Sequence, residues 1–133
     1  MNPNPPQLGK DAAVAALQVI IEAIRRSAGS HTGQSVRLVR FLAGLYNGPR
    51  FPFDMTELRA LDTALSTACL TVLAEDIKAR SEIQEWGVMS GRELNDWLHD
   101  VGLYEELEKR KAAMTLYQEK HGDRSHRTAD ADA

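Results

Sequence analysis

Few residues of this 133-residue chain could do chemistry, and they are scattered. Four histidines (His31, His99, His121, His126) and a single cysteine, Cys69, are the soft ligands and nucleophiles available. No two histidines stand four apart and none joins Cys69 at a ligand spacing, so no metal site is expected. Cys69 lies in an apolar helical run, where a thiol should be buried, protonated and a poor nucleophile. Gly29, Gly44 and Gly48 lack the Lys-Ser/Thr that completes a phosphate loop. Asp62 stands one position after Leu61, at the edge of an apolar stripe, where it could be a buried acid. The favoured reading makes it the ion-pair partner of Arg37 or Arg40. Glu75, Asp76, Glu82 and Glu85 read as a solvated acidic surface. No catalytic residue and no cofactor is assigned, and the chain is not expected to be an enzyme.

Binding chemistry has more to work with. Arg25, Arg26, Arg37, Arg40 and Arg50 are interleaved with Tyr46 and Phe51, and arginines grip phosphates bidentately while aromatics stack on bases. The formal net charge of −3 is unevenly divided. Between Lys10 and Phe53 six basic residues face two acidic ones, a balance of +4; from Asp54 onward ten face seventeen, a balance of −7. Such a division can recruit an anionic partner, or it can draw the two halves of the fold together, and the second reading needs no partner. A helix-turn-helix reading of the second and third helices fails on two counts. The connection is about seven residues where the motif uses three or four, and the would-be reading helix opens with Asp54 and Glu57, which would meet phosphates badly. Nucleic-acid binding through the Arg25 to Arg50 region is therefore the alternative. The preferred expectation is a binding protein whose partner is another protein or a second copy, with Trp86 and Tyr117 as exposed aromatic candidates beside the arginines.

The elements that must position these residues are helices. Val14, Leu17, Ile21 and Ile24, with Val19 and Ile20 beside them, predict a first helix over about 11–28 that Gly29 ends. After the turn Ser30-His31-Thr32-Gly33, with Thr32 as a cap, Leu38, Leu42 and Leu45 predict a second over 34–47, stopped by Gly48-Pro49. Phe51 and Phe53 should pin the stiff link that follows to the core. Asp54 with Glu57 three residues on has the form of a capping box, and Phe53 can close over Leu58. Leu58, Leu61, Leu65, Ala68 and Val72, flanked by Ala64, Cys69, Leu73 and Ile77, then predict one long central helix over about 55–79. Residues 81–89 read as an irregular connection. Ser90 and Glu93 start a fourth helix with Leu94, Trp97, Leu98 and Val101 on one face, and Gly102 ends it. A fifth, over about 103–120, has the thin stripe Leu107, Met114, Tyr117. The expectation is an all-α fold, a single compact bundle of about five helices around the 55–79 helix. Residues 1–9 would be a disordered lead, 10–121 the helical domain and 122–133 a disordered tail.

Three stretches carry a resemblance: Thr32-Gly33-Gln34-Ser35, Arg40-Phe41-Leu42-Ala43-Gly44-Leu45-Tyr46-Asn47-Gly48, and Phe53-Asp54-Met55-Thr56-Glu57-Leu58-Arg59-Ala60-Leu61-Asp62. Over about 32–85 the chain resembles an uncharacterised family of small proteins encoded on bacterial plasmids and integrative conjugative elements. The resemblance implies a mobile-element origin, and it implies no activity and no site residue; an accessory role is expected by analogy with the many small helical proteins that such elements carry. A lone cysteine, an N-terminus with no basic-then-apolar leader, and an apolar run (12–23) broken by Gln18 and Glu22 point to a cytoplasmic protein with no membrane partner.

Overall fold

A computed structural model describes residues 9–27 and 33–132, with side chains described as far as residue 121. Among the described residues every regular element is a helix: α1 (Lys10–Arg26), α2 (Gln34–Tyr46), α3 (Thr63–Asp76), α4 (Gly91–Asp100) and α5 (Leu103–Asp132), with 3-10 turns at Met55–Ala60 and Ile83–Glu85. The fold is all-α, as expected. Residues 1–8 of the expected lead (1–9), the turn with its Thr32 cap and Gly29 stop, and the side chains of the expected tail (122–133) lie outside the described residues; the backbone of α5 continues through that tail to Asp132. The chain divides into two compact units, one up to Leu103 and one from Tyr104 onward.

In the first unit α1 buries Ala13, Leu17, Ile20, Ile21 and Ile24, while Val19 faces outward at the edge of the stripe. It packs mainly on α3, and α2 touches α1, α3 and α4. Leu38, Val39, Phe41 and Leu42 of α2, Leu65, Ala68, Cys69 and Val72 of α3, and Leu94, Trp97 and Leu98 of α4 complete the core. Each such large apolar side chain contributes roughly 1.5–3 kcal/mol on burial. Phe51 is buried and Phe53 half-buried, so the link after α2 is pinned as its aromatics suggested. The fit depends on Gly44. A Cβ there would stand 3.1 Å from Phe53 Cβ and 3.4 Å from the Phe51 carbonyl oxygen. Phe53 meets Phe41 edge-on, with ring centroids 5.6 Å apart.

The expected continuous helix over 55–79 is broken. Asp54 does cap, accepting from Thr56 N–H at 2.9 Å and from the Thr56 hydroxyl at 2.7 Å, but what it starts is the six-residue 3-10 turn Met55–Ala60. Leu61 is then extended, with φ −83° and ψ 151°. Asp62 begins again as the N-cap of α3, its carboxylate accepting from Leu65 N–H at 2.8 Å. Its own N–H donates to Gln34 Oε1 at 2.7 Å, which ties the break to the start of α2. A residue whose side chain bonds the backbone two or three positions on competes with helix continuation, and here two such aspartates stand in series. The break still buries Leu61.

The 81–89 connection is irregular, with a reciprocal box between Glu82 and Glu85 at its 3-10 turn. Ser90 caps α4 by accepting from Glu93 N–H at 3.0 Å. In the second unit, every described side chain of α5 from Glu108 to His121 is exposed, Met114 and Tyr117 included. No described helix is long and apolar enough to cross a membrane.

Candidate interaction surface

The seven residues proposed for partner binding have different fates. Arg25, in the last turn of α1, reaches α4: its Nε donates to Glu93 Oε2 at 3.0 Å and its Nη2 to Glu93 Oε1 at 2.8 Å. The same Nη2 also reaches the Val88 carbonyl at 3.4 Å. The hydrogen bond to Glu93 raises the guanidinium's pKa most; burial opposes it, and the charges of Glu93 and Glu22 add to it. Here one residue of the basic first half holds one of the acidic second half. Arg26 is exposed and lines a cleft of about 530 Å³ with Ser27, Gly33, Gln34 and Asp62. Arg37 and Arg40 are half-buried on α2; Arg37 Nε is buried with no hydrogen-bond partner. Asp62 is exposed and serves as a helix cap, so the expected pairing with Arg37 or Arg40 gives way to the backbone of α3 and to Gln34. Arg50 is exposed, its guanidinium 5.4 Å from the Phe51 ring centre.

Trp86 is a correction. It is 7% exposed, not a surface anchor. Its Nε1 donates to Ser81 Oγ at 3.1 Å, Lys10 Nζ donates to the same oxygen at 3.1 Å, and the ammonium stands 4.3 Å from the indole centroid. Gly87 and the acids around it give the indole the look of surface in the sequence; the buried position follows from Ile83 and Met89, which carry the irregular connection into the core. Tyr117 is exposed, its ring 4.3 Å from that of His121.

Glu75 is a second correction to the acidic surface: only 4% exposed, it accepts from Lys78 Nζ at 3.0 Å. Asp76 beside it has its pKa raised, by burial first and by the charge of Glu82 second. Cys69 is buried, and desolvation pushes its thiol up to about 12. Among the described residues no three of His, Cys, Asp and Glu converge as a metal cluster would require.

Sequence reasoning passed over the outer side of α3. From Thr63 to Ala74 the helix has no charged residue. Its inner side is buried, but Leu70 is 48% exposed and Ile77, at the C-cap, 72%. Beside them, Leu73 shares an apolar groove of about 230 Å³ with Met55, Phe53, Pro52 and Leu45, and Met55 is 56% exposed. The signal was available: a helix apolar all round is normally covered on every side, and one stripe of leucines accounts for only one side of α3.

Residues 14–101 match the model of a family of unknown function (DUF7673), and the chain belongs to that family. The match spans all of α2, α3 and α4 and most of α1, a wider reach than the 32–85 resemblance. No curated protein matches the chain, and no solved structure does.

Proposed function

We propose that this protein works without catalysis, by binding another protein through the outward face of α3 and the groove beside it. The observation that carries the reading is the uncharged span Thr63–Ala74 with Leu70 and Ile77 left in water. Exposed apolar side chains are ordinary when scattered, whereas several on one helix face, continuous with a groove, mark a surface that is covered in use. The proposed setting is that of an accessory protein of a bacterial mobile element, acting in the cytoplasm on itself or on a host factor. It rests on the resemblance of residues 32–85. The alternative, nucleic-acid binding by Arg25 to Arg50, is disfavoured because Arg25 is committed to Glu93 and cannot also serve a phosphate without releasing it.

The test is purification from the native host of the wild-type chain and of Leu70→Glu, with random duplex and single-stranded DNA binding measured at low salt. A protein retained at near-equal amount by the wild type and lost from the variant supports the reading, as does self-association lost in the same way. Salt-sensitive DNA binding that Arg37→Glu and Arg40→Glu abolish would overturn it in favour of the alternative.

A further inference from the structure

The occupant of the α3 face can be identified from the spacing on that face and the charges at its ends. Thr63, Thr67, Leu70, Ala74 and Ile77 recur at intervals of four and three, the spacing that keeps one seam of a helix against a neighbouring helix. All five are exposed or half-exposed, and they lie opposite the buried Leu65, Ala68, Cys69 and Val72. Two are threonine and one alanine, small enough to let a second helix approach, with Leu70 at the midpoint of the seam and Ile77 at its end as the two large knobs. The ends differ in sign. Asp62 is exposed at the N-terminal end, and Arg80 is exposed just past the C-terminal end, where Lys78 is already paired with Glu75.

We propose that the α3 face binds the α3 face of a second copy of this chain, the two helices antiparallel about a two-fold axis at Leu70. A two-fold interface must be complementary to itself. An uncharged seam meets that requirement, because no like charge opposes itself across the axis. With Leu70 on the axis, Thr63 of one copy falls beside Ile77 of the other. The Asp62 end then lies beside the partner's Arg80 end, so opposite charges meet at both rims. A parallel pairing would instead set Asp62 against Asp62 and Arg80 against Arg80. Antiparallel helix dipoles add to the preference. The 14 residues of α3 span about 21 Å at the standard rise. Such a face, even with Met55 and the groove added, falls short of the ~800 Å² per partner of a stable complex. The dimer is therefore weak and reversible, with a Kd on the order of tens of micromolar.

This inference rests on the protein-binding reading above, and sedimentation analysis of the full chain separates the two. The wild type is expected to pass from monomer to dimer with rising concentration. Leu70→Glu and Ile77→Glu should each weaken dimerisation about tenfold or more while leaving the circular dichroism spectrum and Tm unchanged, since both positions already face water. Orientation is read by cross-linking with a short bismaleimide, Cys69 being buried. Thr63→Cys mixed with Ile77→Cys should give a cross-linked dimer, and neither variant alone should. A wild type that stays monomeric up to about 1 mM, a dimer indifferent to both glutamates, or self-cross-linking of Thr63→Cys alone would each overturn the proposal. A monomer that still retains a host protein lost from Leu70→Glu would remove the second copy and leave the protein-binding reading standing. A monomer that retains none would remove both.

Discussion

At the scale of single residues, burial sets the chemistry. Cys69 has no exposed surface, and its thiol, raised to about 12, is almost wholly protonated at neutral pH. Alkylation of the native protein at pH 8 should be slower than that of the urea-unfolded chain by orders of magnitude, followed by mass spectrometry. Equal rates would show that the site opens freely. Asp76 is displaced in the same direction: it is held above its ordinary value by burial and then by Glu82, near the negative end of the α3 dipole. A carboxyl raised in the folded state helps folding in its protonated form. That contribution is full below the ordinary value of 3.8 and is lost as pH rises through the raised one. Asp76→Asn should therefore be more stable than the wild type at pH 7, and the gain should vanish on acidification below that value, as measured by urea unfolding at several pH values.

At the scale of elements, the second aspartate decides where α3 begins. Asp62→Ala removes the cap on Leu65 N–H and should cost about 1 kcal/mol, read as a fall in the urea midpoint. Asp62→Asn, which can still accept, should keep most of the loss back. Gly44 makes the other essential contact, and Gly44→Ala, with Phe53 Cβ only 3.1 Å from the new methyl, should cost about 1–3 kcal/mol. Much of this architecture was legible in the sequence. The stripes of α1, α2 and α4 sit where their apolar periods put them, and the Ser90 start of α4 is a cap in fact. The break at Leu61 was not legible, because Leu58, Leu61 and Leu65 fit one helical stripe whether or not the backbone is continuous. Periodicity reads side-chain spacing, and an extended residue followed by a fresh cap preserves that spacing closely enough to hide the interruption. The candidate face was missed for a related reason. Once the buried stripe of α3 was found, the uncharged outer side carried no charged residue to draw notice, although its lack of charge was itself the signal.

At the scale of the whole molecule, the charge division between the halves of the sequence has a physical use that can be measured. Arg25 and Glu93 stand 68 positions apart in the sequence, and their paired hydrogen bonds join the end of α1 to the first turn of α4. Both side chains keep solvent contact, at 49% and 31% exposure, so screening limits the pair to about 0.5–1 kcal/mol despite its two-point geometry. A double-mutant cycle isolates that coupling. Arg25→Glu and Glu93→Arg should each destabilise the fold, by setting two like charges at the former contact, and the double variant should recover most of the loss. The Glu93→Arg arm leaves the Ser90 cap intact, since the cap uses only the backbone N–H of residue 93. Raising the salt from low to physiological strength should shrink the coupling, because a half-exposed pair lies within reach of counterions. A double variant no more stable than the worse single one would mean that the pair is incidental, and that apolar packing alone brings the basic first half of the sequence onto the acidic second.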